Sequence, residues 1–239
     1  MHWSSSADTH QGNYRQRNQD AVLCSSGAGL WAVADGMGGH NAGEFASESI
    51  VRCLADINLD MELPEAVDLI EDRLLEVNDE LRRHARLNCG GETVGSTVVV
   101  LIARGHVGVA LWAGDSRLYR LRERKIELVT RDHNPVADLL DVGGVTEEEA
   151  LNADTHIITR AVGGQSELHL DVAVFDIRLG DTLLLCSDGL YREVMPHTMF
   201  NALQLDVDQA VATLLDECLQ GEARDNISVV VARAEPGRE

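Results

Sequence analysis

The chain has 239 residues, 44% of them hydrophobic, and a formal charge of −20 from 40 acidic against 20 basic side chains. That length and apolar content suffice for one large buried core. So acidic a composition argues against nucleic acid as a partner, because a phosphate backbone is held by clustered cations.

The opening residues, "MHWSSSADTHQGNYRQRNQD", lack the apolar stretch of a secretory leader, and no run of roughly 18 apolar residues occurs anywhere. The expectation is a soluble, cytoplasmic chain with no membrane partner. The five cysteines, Cys24, Cys53, Cys89, Cys186 and Cys218, are odd in number, scattered and without a CxxC pair. They are expected as buried apolar thiols, not as a zinc cluster or a disulfide framework.

In chain order, "LWAVAD" (30–35) is the first apolar run bounded by Gly and Asp, and it is predicted as a strand. Residues 42–59 and 64–87 carry apolar side chains at helical spacing, as in Ala66, Leu69, Ile70, Leu74, Val77 and Leu81. They read as two helices, the second opened by Pro64. Further strands are predicted at "STVVVLIAR" (96–104), "HVGVALWAGD" (106–115) and "SRLYRLRE" (116–123). Residues 134–160, with a glycine pair and an acidic run, break this rhythm and read as a surface excursion beside a sheet end. Strands resume at "LHLDVAVFDI" (168–177), "DTLLLCSD" (181–188) and "NISVVVARA" (226–234), with helices over 196–204 and 206–219 before the last. The short connections "WAGDSRLYRL" and "RLGDTLLLC" suit antiparallel hairpins. The fold class expected is α+β, an antiparallel sheet covered by helices in one domain over 1–239.

Asp35 and Asp188 close apolar runs, and Asp225 precedes one. In antiparallel neighbours the end of one strand lies beside the start of the next, so these carboxylates are expected at one rim of the sheet. Carboxylates that close repel unless a cation or proton lies between them. An all-oxygen donor set suits Mg²⁺ or Mn²⁺ better than zinc. Gly36 and Gly189, each after an acid, permit a tight turn and the approach of a backbone carbonyl to an ion. Each Asp-Gly pair reads equally well as a plain turn signal. Upstream, "YRQRNQD" supplies Arg15 and Arg17, whose planar forks suit phosphate oxygens, although arginines ahead of a strand are also ordinary solvated surface.

The ordered set "RQRNQD" (15–20), "VADGMGGH" (33–40), "GST" (95–97), "AGDSR" (113–117), "TRDH" (130–133), "ITRAVG" (158–163), "CSDGL" (186–190) and "DNISVVV" (225–231) is more specific than any of its pieces. From about residue 8 to about residue 233 the chain closely resembles the catalytic domain of the metal-dependent protein phosphatase family, type 2C, in its compact bacterial form. The resemblance implies a four-layer α-β-β-α sandwich of two antiparallel sheets flanked by helices. It also implies a pair of Mg²⁺ or Mn²⁺ ions in a cleft at one sheet edge. By motif match, Asp35 would bridge the two ions, the Gly36 carbonyl, Asp188 and Asp225 would complete the protein ligands, and Asp20 would act through bound water. Arg15 matches the arginine that receives the substrate phosphate, while Arg17 matches nothing and is left as surface. A third, weaker ion often accompanies the pair in bacterial members. Asp115 matches its ligand, sharing it with Asp188, and the competing reading of Asp115 is a structural acid in a hairpin turn. Residues 134–160 match the family's flap, a variable segment beside the active site.

The implied reaction is hydrolysis of phosphoserine and phosphothreonine by in-line attack of a water held between two ions, with no protein nucleophile. None of the five cysteines is read as lying in a CxxxxxR loop, which would be needed to activate a thiolate and cradle a phosphate. The leaving group needs a proton, and Met37 stands where eukaryotic members carry His. His40 is the candidate general acid, metal-bound water its rival, and a structural histidine the alternative reading. The expected partners are phosphorylated proteins and a cognate Ser/Thr kinase system, type VI secretion control among the settings, for a monomeric enzyme. A catalytically silent phosphatase-like binding or regulatory module is the alternative, and it would be marked by loss of ligand acids, all of which are present. A two-metal nuclease shares the ion chemistry but is opposed by a charge of −20 without a basic stripe.

Overall fold

Apolar residues occupy both faces of the central strands, which is why those segments read as continuous hydrophobic runs and not as alternating ones. The structure is a computed structural model that describes residues 1–39, 41–141, 146 and 157–237. Its elements are β1 (His2–His10), β2 (Asp20–Ser25), β3 (Leu30–Met37), α1 (Ala42–Ala55), α2 (Leu63–Asn88), β4 (Gly95–Ser96), β5 (Val98–Arg104) and β6 (Val107–Ala113). They continue as β7 (Arg117–Arg122), β8 (Lys125–Leu128), α3 (Pro135–Asp141), β9 (Asp171–Asp176), β10 (Thr182–Cys186), α4 (Asp188–Tyr191), α5 (Pro196–Ala202), α6 (Val207–Gln220) and β11 (Ile227–Glu235).

One sheet runs β1-β11-β10-β7-β8, the other β2-β3-β5-β6-β9 with β4 beside β3. Every pairing is antiparallel. Alternation along a strand decides which layer each side chain joins. Trp31 and Val33 of β3 meet Leu183, Leu185 and Val230 between the sheets. Leu30, Ala32 and Ala34 of the same strand face the other way, onto Ile50 of α1 and Ile70 and Leu74 of α2. On the far side Leu184, Cys186, Val229 and Val231 receive Leu214 and Cys218 of α6. The result is the four-layer sandwich that the resemblance implied.

Two connections differ from the hairpins read in the sequence. β6 pairs with β5 and β9, whereas β7 pairs with β10 and β8, so "WAGDSRLYRL" passes from one sheet to the other. "RLGDTLLLC" does the same between β9 and β10. A short connection fixes only that its strands are near each other, and in a sandwich the near neighbour can be the facing sheet. Strands β1, β2 and β8 were not anticipated. β1 is mostly Ser, Thr and His and buries only Trp3, because it is an edge strand paired with β11 from His2↔Glu235 to His10↔Ile227. α1 ends at Ala55, short of the predicted 59. All five cysteines are free thiols, but only Cys186 and Cys218 are buried, while Cys24 is exposed and Cys53 and Cys89 are half-buried.

Leu101 and Leu185 are fully buried in the layer between the sheets. Truncating either to Ala is expected to cost about 2–5 kcal/mol. In urea titrations this lowers the midpoint while leaving the slope unchanged.

Candidate active site

The site is built from both sheets. Asp20 and Asp35 are directly opposed register partners on β2 and β3, a placement that brings Cβ atoms to roughly 5 Å. From the other sheet, β10 ends at Cys186 and leads through Ser187 into α4 at Asp188. Its neighbour β11 starts at Ile227, two residues after Asp225. Antiparallel pairing thus brings Asp188 and Asp225 to one end, as expected, but Asp35 reaches them across the sandwich and not along one sheet rim. Arg15, Asp35, Gly36, Asp115, Asp188 and Asp225 line a single cavity of about 370 Å³.

Neither Asp-Gly pair is a turn. Gly36 lies inside β3, and a Cβ there would sit 2.1 Å from the Gly43 carbonyl oxygen and 2.6 Å from that of Gln19. Gly189 lies in α4, where a Cβ would meet the Asn226 carbonyl oxygen at 2.0 Å. Glycine is required because backbones close in beside the acids, not because a turn needs it.

Asp20 is 7% exposed, and its Oδ2 accepts hydrogen bonds from Ser187 Oγ and Ser228 Oγ, each at 2.7 Å. Since Ser228 gives its one proton to Asp20, Thr9 Oγ1 donates to Ser228 across 2.7 Å and itself accepts from Asn18 Nδ2 at 2.8 Å. Asp20 Oδ1 is buried without a hydrogen-bond partner. Burial, together with Asp188 and Asp225, pushes the Asp20 carboxyl up to about 7 against the opposing pull of the two serines. Asp35 is held well above the ordinary carboxylate range by desolvation and then by Asp20, Asp188, Asp115 and Asp225. Burial and then Asp188 and Asp132 push Asp115 up to about 6, with Arg192 opposing.

Arginines compensate part of this charge. Arg15 donates through Nε and Nη2 to Asp225 Oδ1 and Oδ2 at 2.8 and 2.7 Å. Arg192 lies 3.1 Å from Asp188 Oδ2 and 3.4 Å from Asp115 Oδ2. Among the described residues no three His, Cys, Asp or Glu side chains stand as a ready-made ligand set. Arg17 is exposed, its Nη1 3.6 Å from Glu44 Oε2. Met37 lines the cavity. His40 and most of the flap, residues 142–145 and 147–156, lie outside the described residues.

Other motif residues hold the acids in place. Thr97 donates its N–H to the Asp35 carbonyl at 2.8 Å, and its Oγ1 accepts from the Asp35 N–H at 3.2 Å. Asp115 sits on the crossing from β6 to β7, which "TRDH" clamps. The His133 N–H donates to the Gly114 carbonyl at 2.9 Å, the Gly114 N–H donates to His133 Nδ1 at 3.1 Å, and Arg117 grips Asp132 through two bonds of 2.8 and 2.7 Å. Asn226 accepts from the Gln19 N–H at 2.8 Å and donates to the Gln11 and Arg17 carbonyls, tying the arginine loop to β11. The roles of Ser187, Ser228, Asn226 and Arg192 were missed. Ser187 and Asn226 had a signal in their adjacency to Asp188 and Asp225.

Contrary to the sequence reading, Cys186 and Arg192 do stand at the CxxxxxR spacing of a thiolate phosphatase loop. The structure removes that chemistry. Cys186 is fully buried on β10 in the core under α5 and α6, where desolvation pushes its thiol up, and Arg192 turns to the acids.

The model of the protein phosphatase 2C family matches residues 9–228. The chain belongs to that family. It is 34% identical over 228 residues to the serine/threonine protein phosphatase PstP of Mycobacterium tuberculosis, across 95% of this chain and 44% of that protein. The chain thus spans less than half the length of that curated relative. Among solved structures it is similar to PppA, described as a key regulatory component of T6SS in Pseudomonas aeruginosa, with a TM-score of 0.90, 40% identity and 98% of both chains covered. It is also similar to the catalytic domain of a PstP in complex with two manganese ions, with a TM-score of 0.87, 32% identity and coverage of 98% of this chain and 99% of that one. Two antiparallel sheets with helices outside are the architecture common to these phosphatases and to this chain.

The raised carboxyls fix the sign of a pH dependence. A raised acid favours the protonated folded form, so its contribution is full below about 3.8 and is lost as pH climbs through about 7 for Asp20. Without divalent cations, the melting temperature is expected to fall between about pH 4 and pH 7, and Asp20→Asn to flatten that fall. Parallel pH profiles for wild type and variant would contradict the assignment.

Proposed function

We propose that this chain is a metal-dependent protein serine/threonine phosphatase whose catalytic unit is the sandwich matched by the family. The observation that carries the reading is the convergence of Asp35 from one sheet with Asp188 and Asp225 from the other in one cavity beside Arg15. Membership of the phosphatase 2C family supports it, as does the manganese pair in the similar PstP catalytic domain. Every matched acid being present disfavours a silent binding module.

The cavity suits hard divalent cations on its own chemistry. The donors are all oxygen, the acids raise one another's pKa, and the Asp20 Oδ1 is a buried acceptor without a partner. Asp35, the Gly36 carbonyl, Asp188 and Asp225 would hold the pair, with Asp20 acting through water. A pair of Mn²⁺ or Mg²⁺ ions held there would supply Lewis acidity, lowering the pKa of water and neutralising phosphate oxygens.

The chain's own residues do the rest. Ser187 and Ser228 fix the orientation of the Asp20 carboxyl beside Asp35. Arg15 offers a bidentate fork to phosphate oxygens, but in the structure that fork is on Asp225. It must leave Asp225 to receive substrate, so occupation of Asp225 by a cation and phosphate capture by Arg15 favour each other. His40 is the proposed proton donor to the leaving alkoxide. The substrates are proteins carrying phosphoserine or phosphothreonine, made by a Ser/Thr kinase that this enzyme opposes. Control of a secretion apparatus, as described for PppA, is the setting its similarity to that protein favours. Among the described residues no helix is long and apolar enough to cross a membrane, which fits cytoplasmic targets.

The test is hydrolysis of p-nitrophenyl phosphate and of a phosphothreonine peptide by the purified chain with Mn²⁺. Activity is expected, with loss on chelation and in Asp188→Asn; activity retained in that variant would refute the ligand set. Arg15→Ala is expected to lower kcat/KM on the peptide by roughly 10²–10³. For His40→Ala, a pH–rate profile with an unchanged limb and unchanged kcat would remove the histidine from the mechanism.

A further inference from the structure

Arg192 is a second cation at the cavity, and nothing in the reaction described above uses it. It follows the short helix α4, so its backbone N–H donates to the Asp188 carbonyl at 3.1 Å and its side chain folds back over the same residue. The guanidinium then stands between two acids, with Nε 3.1 Å from Asp188 Oδ2 and Nη2 3.4 Å from Asp115 Oδ2. Both partners are well covered, their side chains being 17% and 6% exposed. The neighbouring side chain reinforces the arrangement. Tyr191 points its hydroxyl at Asp115 Oδ2 from 3.5 Å, while the Arg117 guanidinium stacks 3.6 Å from the centre of its ring. Arg117 is itself fixed by its two bonds to Asp132. Arg192 is therefore held within a packed array of aromatic and ionic contacts and is not a loose surface arginine.

We propose that Arg192 is a built-in counter-ion that occupies the place between Asp115 and Asp188, so that this chain holds two divalent ions and no third. The inference rests on the metal-dependent reading above and decides between the alternatives left open for Asp115. An oxygen-bound Mn²⁺ or Mg²⁺ needs its ligands at roughly 2.0–2.6 Å, so an ion shared by Asp115 and Asp188 would claim the space the guanidinium fills. It would also set a double positive charge against a fixed one in a partly desolvated site, where repulsion is strong. In this arrangement Asp115 is a positioning residue: it anchors the arginine that orients Asp188.

The experiment counts ions and does not rely on turnover. Mn²⁺ is titrated into the full chain, with the free ion followed by electron paramagnetic resonance and the heat by calorimetry. Wild type is expected to take up two equivalents, and Asp115→Asn the same two. Arg192→Gln is expected to gain a third equivalent, which is lost again when Asp115→Asn is added, whereas Arg192→Lys, keeping the charge, stays at two. A third equivalent in wild type that disappears in Asp115→Asn overturns the proposal, as does an Arg192→Gln protein that melts cooperatively yet binds only two. Should Arg192→Gln not fold, the comparison of wild type with Asp115→Asn decides alone. A wild type that binds no Mn²⁺ would instead overturn the metal-dependent reading itself, so the two failures are distinguishable.

Discussion

The mutual repulsion of carboxylates gathered between two sheets is the constraint on which the site depends. Asp20 and Asp35 face each other across β2 and β3, and Asp188, Asp225 and Asp115 add to the same field. Such a cluster is tolerated in a folded protein only if protons, hydrogen bonds or cations compensate it. The structure shows the protein's own share of the compensation: serine hydroxyls on Asp20, the Arg15 fork on Asp225 and the Arg192 guanidinium on Asp188 and Asp115. This leaves Asp35 as the acid whose raised pKa comes from its acidic neighbours after burial itself. The centre of the cavity is thus where additional positive charge is most strongly favoured.

Bringing the acids that close requires backbones that approach without side chains between them. Gly36 lets the start of α1 rest on β3, and Gly189 lets α4 rest on the segment entering β11. A methyl on Gly36 would push the strand carrying Asp35 away from Gln19, next to Asp20, and a methyl on Gly189 would push Asp188 away from the segment carrying Asp225. Asn226 then locks the loop bearing Arg15 and Asp20 to the strand after Asp225. The inter-sheet layer of Trp31, Leu101, Leu185 and Val230 fixes the distance between the two halves of the site. Packing and electrostatics are coupled, because a shift of one sheet against the other would move Asp35 away from its partners.

Much of this was legible in the sequence, and the omissions have physical causes. The central strands and long helices are dense in apolar residues, so β3, β5, β6, β10, β11 and α2 could be read with ends within a few residues. Edge strands β1 and β8 bury little and carry no such signal. The acids were visible as types at strand ends, but their partners were not. Ser187 and Ser228 act on Asp20 from residues 167 and 208 positions away. The assignment of neighbouring strands to facing sheets leaves no local trace either, so the crossing that carries Asp115 looked like a hairpin. Of the two reasons read for glycine after each acid, the turn is replaced by close backbone approach, since both select the same residue.

The excess of acid over the whole chain gives the cavity its selectivity. A protein of charge −20 repels a phosphate at long range, and salt screens that repulsion over roughly 8 Å. Inside that distance only local positive charge can bind the phosphate. In the proposed function, Arg15 and cations at Asp35, Asp188 and Asp225 would supply it at one point on the surface. Arg192, by contrast, is directed to Asp188 and Asp115. Polyanions such as nucleic acid need charge spread along a groove, whereas a single phosphorylated side chain needs it concentrated. Under the proposed function, this distribution of charge favours isolated phosphate groups on proteins, through the same acids that would hold the metal pair.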